Sequence, residues 1–181
     1  MKPHCRRKSS NNRHFGGFLL FIRTSIKEGV KIREIFDEDA LEVTLKKGFF
    51  GLQEDIKILF IYASPLNSCY TKSRTSNILD ITETRIRDEG GQYIIMGGLN
   101  GRTRLGKDFV RDNSDKHSPT KIPNYMKDEI SSRQNEDKHF IDQQGKLILD
   151  LCKSSSLRIL NGRTHGDKTG VPLIMYFVGT L

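Results

Sequence analysis

The run Tyr93–Met96 (YIIM), closed by Gly97-Gly98, constrains this chain more than any other feature. A short continuous apolar run bounded by turn formers fits a buried strand. The glycines after it let the backbone turn sharply and approach a neighbour or ligand closely.

Other elements fall into place around that strand. Lys57–Tyr62 (KILFIY) reads as a second strand, with turn chemistry after it in Ala63–Ser68. Ala40–Leu45 (ALEVTL) alternates and reads as half-buried, and Gly17–Arg23 reads as a short buried strand. Leu157–Leu160 and Leu173–Val178 add two more. A helix is expected from Ser76 to Glu89, capped by Thr75 or Ser76 and ended by Gly90, with Ile78, Ile81 and Ile86 on one face. A second is expected over Gly145–Ser154, capped by Asp142, with Leu147, Ile148, Leu151 and Cys152 on one face. Strands outnumber helices, and helices link strands. The pattern therefore argues a layered α/β or α+β domain.

The whole chain, residues 1–181, is expected to form one domain. Residues 105–140 form a long polar loop within it, a length that marks a functional or mobile segment. Apolar residues make up 35%, so the core is lean. No run of 18 apolar residues exists, so no membrane span is expected. The basic start, MKPHCRRKSSNNRHF, lacks the apolar stretch and cleavage site of a signal peptide. Cys5, Cys69 and Cys152 are scattered and form no C-x-x-C pair, which disfavours a zinc knuckle or a disulfide framework and fits an intracellular compartment. Net charge is +8, and residues 1–33 hold nine Lys/Arg against one acid, Glu28. Such a stretch is either a phosphate-facing surface or a solvated terminus.

The chemistry concentrates in Tyr93–Thr103, YIIMGGLNGRT. A polar side chain just beyond a strand's C-terminal end is well placed at a site rim. Asn100 therefore has two readings, a ligand contact or an Asx-type turn.

That segment resembles the G-D-x-N-A-R-T motif of the endonuclease/exonuclease/phosphatase superfamily, the deoxyribonuclease I-like fold, in its LINE-type non-LTR retrotransposon branch. Three further stretches resemble the same domain, in order: HCRRKSSNNRHFGGFLLFIRTSIKEGVKI, FFGLQEDIKILFIYASPLNSCYTK and GKLILDLCKSSSLRILNGRTHGDKTG. Together they run from about His4 to Gly170. The resemblance implies an α+β fold, part of a four-layer α/β/β/α sandwich of two sheets flanked by helices. It also implies Mg²⁺-dependent phosphodiester hydrolysis, with DNA as partner and a nuclear location. No stable protein partner is expected. Magnesium takes hard oxygen ligands, neutralises phosphoryl charge, and works with a base that activates water.

Carried over position by position, the resemblance makes Asn100 and Tyr62 phosphate contacts. Tyr62 also reads as a strand-end aromatic over the core. Arg102 and Thr103 match the motif's tail, where a surface turn is the simpler reading. Gly98 stands where the motif has its Asp, and a glycine neither orients water nor accepts its proton. Loss of one general base costs roughly 10²–10⁴ in rate. The metal-binding Glu is expected upstream of His4 and the closing Asp-His pair beyond Leu181, so the domain is expected to be truncated at both ends. The final VPLIMYFVGTL departs from the family's strand. The expectation is a chain without nuclease activity: a nucleic-acid-binding remnant, or a transposon fossil.

Asp108, Asp112, Asp115, His117 and His139 lie in the long loop. Their spacing matches no metal-site pattern, and a solvated loop is the expectation. Asp150 reads as a surface acid and Asp167 as a turn former.

Overall fold

The structure is a computed structural model that describes residues 7–8, 14–15, 18–37, 39–68, 71, 75–110, 133–163, 167, 169 and 175–180. Their elements, in chain order, are β1 (Arg7–Lys8), β2 (His14–Phe15), a 3-10 helix (Thr24–Gly29), β3 (Val30–Asp37), β4 (Ala40–Leu45) and α1 (Lys47–Phe50). There follow β5 (Ile56–Tyr62), α2 (Ile78–Glu89), β6 (Gln92–Gly98), α3 (Gln143–Ser154), β7 (Arg158–Ile159) and β8 (Met175–Thr180). The fold is α+β. One mixed sheet has the order β3-β4-β5-β6-β8-β7, and among the described residues β1 pairs with β2 alone. Within the mixed sheet β5 and β6 are parallel and every other neighbour pair is antiparallel.

Alternation decides what each strand buries. Leu59 and Ile61 of β5 and Tyr93 and Ile95 of β6 share one core with Ile78, Leu79 and Ile86 of α2 and with Ile148, Leu149, Leu151 and Cys152 of α3. On the opposite face Leu41 and Val43 are buried, while Ile58, Phe60, Ile94 and Met96 are half-buried. The central strands are thus apolar on both sides, which explains why β6 reads as an unbroken run rather than an alternating one.

Helix α2 is capped by Asn77, whose Oδ1 accepts from the Leu79 N–H at 3.0 Å, rather than by Thr75 or Ser76. Gly90, at φ 55°, ends it. Asp142 caps α3, which begins at Gln143, two residues before the expected Gly145.

The expected strand at Gly17–Arg23 does not form. Gly17 lies outside the described residues, and Phe18 makes only an isolated bridge. Leu19 and Phe21 are 63% and 80% exposed. An apolar run becomes a strand only where a neighbour accepts its backbone groups, and residues 19–23 carry no strand. The charged β3 supplies the edge instead, with Lys31 and Arg33 exposed. Charged side chains blunt an edge against further pairing. Strand β7 is shorter than expected, and β8 runs to Thr180, two residues past the expected end at Val178; 171–174 lie outside the described residues. Residues 105–110 and 133–140 carry no helix or strand, and 111–132 are not described. Among the described residues no helix is long and apolar enough to cross a membrane.

Candidate functional site

Parallel pairing of β5 with β6 aligns Tyr62 with Gly98, both at the C-terminal ends of their strands. The Ala63 N–H donates to the Gly98 carbonyl at 2.8 Å and extends the ladder one step. Tyr62 is 44% exposed at this rim. Its ring lies beside Gly98, where an added Cβ would meet Tyr62 Cδ2 at 3.4 Å, an ordinary contact. The position therefore has room for a side chain, although it carries none. Gly97 has no such room. Its φ is 139°, and a Cβ would fall 1.9 Å from the Ile61 carbonyl oxygen.

Asn100 stands beyond β6 with φ 48°, a left-handed conformation that Asn tolerates better than most residues. Its Nδ2 donates to the Ala63 carbonyl at 2.9 Å. The side chain thus clasps the end of β5 to the loop after β6, rather than closing its own turn. That bond uses one of its two N–H groups, and the residue is exposed at the rim.

The loop after Asn100 is held by the start of α3. Asp142 Oδ1 accepts from Gly145 N–H at 2.6 Å and from Arg102 N–H at 3.0 Å. Gln144 Nε2 donates to the Leu99 carbonyl at 3.2 Å. At Gly145 a Cβ would lie 2.0 Å from the Arg102 carbonyl oxygen, so helix and loop touch through backbone. Arg102 is exposed, as its turn reading requires, with Nε 3.9 Å from Asp137 Oδ2. Thr103 is not a surface residue. It is buried, and its hydroxyl accepts from Arg133 Nη1 at 2.9 Å. Between this loop and residues 136–139 lies a cleft of about 670 Å³, lined by Asn100, Gly101, Arg102, Glu136, Asp137, Lys138, His139 and Asp142.

At Asp108 the expectation of a solvated loop fails. It is 1% exposed, and its carboxylate takes a bidentate pair from Arg163 at 2.6 and 3.0 Å and the Ile159 N–H at 2.8 Å. Burial pushes this carboxyl up, but the Arg163 and Ile159 bonds outweigh it and hold it below the usual range. The acid is part of the core, fixing the loop to β7, and its partner lies 55 residues away, beyond local pattern reading. His139 is exposed; Asp112, Asp115 and His117 lie outside the described residues. Asp150 is exposed, and Asp167 accepts from the Gly162 N–H at 3.1 Å, as a turn former does. Cys152 is fully buried, and burial pushes its thiol well above the ordinary value. Cys5 and Cys69 are not described.

A second charged cluster escaped sequence reading. Glu42, 1% exposed, pairs with Arg85 at 2.8 Å, and Glu89 binds Lys57 at 3.1 Å and Arg33 at 2.8 Å. Burial pushes Glu89 up, and its cationic neighbours bring it below the usual range. Lys57 and Tyr93 lie at the N-terminal ends of β5 and β6, away from Tyr62 and Gly98. The cluster ties α2 to the sheet and takes no part in the rim.

Magnesium takes hard oxygen ligands, usually one or two carboxylates together with several waters. Gly98 supplies no carboxylate. One oxygen of the Asp142 carboxylate accepts from two backbone N–H groups, and Asp137 Oδ1 accepts from the His139 N–H at 2.9 Å. Among the described residues no three His, Cys, Asp or Glu side chains cluster as a metal site. No family model, curated protein or solved structure matches this chain.

Proposed function

We propose that this chain is a degenerate member of the endonuclease/exonuclease/phosphatase superfamily, of the LINE-type retrotransposon branch, that contacts nucleic-acid phosphates without cutting them. One observation carries the reading. Tyr62, Gly98 and Asn100, which the motif resemblance groups as one site, meet at the C-terminal end of the one parallel strand pair among the described residues. That end of a parallel pair is where ligands bind in open α/β sheets.

The finer architecture also has support. A central sheet covered by helices on one face and apolar on the other suits one half of a four-layer sandwich. The activity does not follow from the architecture. Gly98 has neither a base nor an oxygen ligand, and one oxygen each of Asp142 and Asp137 is taken by backbone donors. What remains is donor chemistry: the Tyr62 hydroxyl, the second Asn100 N–H, and the Arg102 guanidinium.

Supercoiled plasmid incubated with the purified chain and Mg²⁺ is expected to stay supercoiled. DNA binding, followed by anisotropy, is expected to weaken steeply with salt. Nicking that disappears in Asn100→Ala would overturn the non-catalytic reading. Affinity that ignores salt would overturn the phosphate reading.

A further inference from the structure

The cleft beside Asn100 is not a uniformly basic groove. Donors line it (Asn100, Arg102, Lys138, His139), but so do acceptors (Glu136, Asp137, Asp142). A surface that reads only phosphates gains from cations, and carboxylates oppose it. A mixed set of donors and acceptors suits the edge of a nucleobase, which presents both. Its volume of about 670 Å³ falls within the range of small-ligand pockets, roughly 300–1,000 Å³.

Immediately next to the lining residue His139 stands Phe140, 88% exposed. A lone exposed ring is ordinary on a protein surface; what distinguishes this one is a chain held on both sides. Asn135 Oδ1 accepts from Asp137 N–H at 2.8 Å, and Asp137 Oδ1 from His139 N–H. Asn135 Nδ2 donates to the Arg104 carbonyl at 3.1 Å, tying this segment to the motif loop. On the other side Ile141 packs on the core and the Asp142 N–H donates to the Arg102 carbonyl at 3.3 Å. Phe140 is thus held out between two anchors, next to a cleft with mixed hydrogen-bonding capacity and exposed cations at Arg102, Arg104, Lys107 and Lys138.

We infer that this surface binds single-stranded nucleic acid, with an unpaired base in the cleft and a neighbouring base stacked on Phe140. The inference rests on the nucleic-acid reading above and narrows it to unpaired strands. Stacking on an aromatic is sequence-tolerant, because every base has a π-face. A duplex keeps its bases stacked on one another and gives Phe140 nothing to cover.

The test is anisotropy of the full chain with a labelled 15-mer oligodeoxythymidylate, the matching oligouridylate and a 15-base-pair duplex. Single strands are expected to bind at least tenfold more tightly than the duplex. Phe140→Ala is expected to weaken them by roughly 5–150-fold. Duplex affinity should stay unchanged, and Phe140→Trp should retain single-strand binding. Because the ring is exposed, the variant should keep the parent's circular dichroism spectrum. Equal affinity for strand and duplex, or a Phe140→Ala effect under twofold on single strands, overturns the inference and leaves the phosphate reading standing. Absence of binding to all three probes overturns both.

Discussion

Gly97 and Gly98 are adjacent and chemically identical, yet their surroundings differ. At Gly97 two penalties coincide: a backbone conformation that L side chains rarely adopt, and a neighbouring carbonyl 1.9 Å from any added Cβ. Each costs about 1–3 kcal/mol. Gly97→Ala is expected to lose most of the domain's stability, read as a collapse of the urea midpoint. Gly98→Ala meets only the Tyr62 ring at van der Waals distance. It is expected to be neutral or to gain roughly 0.5–1 kcal/mol, as alanine does over glycine inside a strand. Equal losses at both positions would contradict this distinction. The sequence marks both glycines alike. What separates them is the course of β5 alongside, which no local pattern encodes. The same holds for the site itself: Tyr62 and Asn100 are identifiable as strand-end polar residues, but their meeting depends on a parallel register set by tertiary packing.

Elements with strong local signals were legible. The apolar cores of β5 and β6 and the stripes of α2 and α3 are written within each segment, and Asp142 is a cap that can be seen from sequence. Strand β3 was not legible, because its apolar alternation, Val30 and Ile32 interleaved with Lys31 and Arg33, is short and breaks at Glu34, and its pairing register shifts between Arg33 and Asp37. Gly17–Arg23 failed for the opposite reason, since apolar residues without a pairing neighbour do not make a strand. At α3 the cap does two jobs, holding both the helix N-terminus and the motif loop. Asp142→Ala should therefore cost more than an ordinary cap, about 2 kcal/mol or above. Asp142→Asn keeps an acceptor and should recover most of it. Thermal unfolding of the two variants compares them directly; equal losses would count against the dual role.

Across the whole molecule, Asp108 and Arg163 join the loop after β6 to the segment around β7. Replacing Asp108 by Ala leaves Arg163 buried without its carboxylate, which typically costs about 3–5 kcal/mol. The pair also sets an acid limit. The carboxyl of folded Asp108 is held below its ordinary range, where the unfolded chain's sits near about 3.9. Its stabilisation is therefore fully present above that unfolded value and is lost as pH falls through the folded one. Denaturant titrations from neutral to acid pH should show an acid limb that flattens in Asp108→Asn. An unchanged limb would place the acid sensitivity elsewhere, with Glu89 the next group held low. Sheet order has another consequence. Strand β6 pairs on one side with β5, its near neighbour in the chain, and on the other with β8, whose first residue, Met175, registers with Gly97. At ribosomal speeds of about 5–20 residues per second, the roughly 80 residues between them take about 4–16 s to appear. For that interval β6 has its β5 partner but not yet β8, so one flank of the half-sheet stands open.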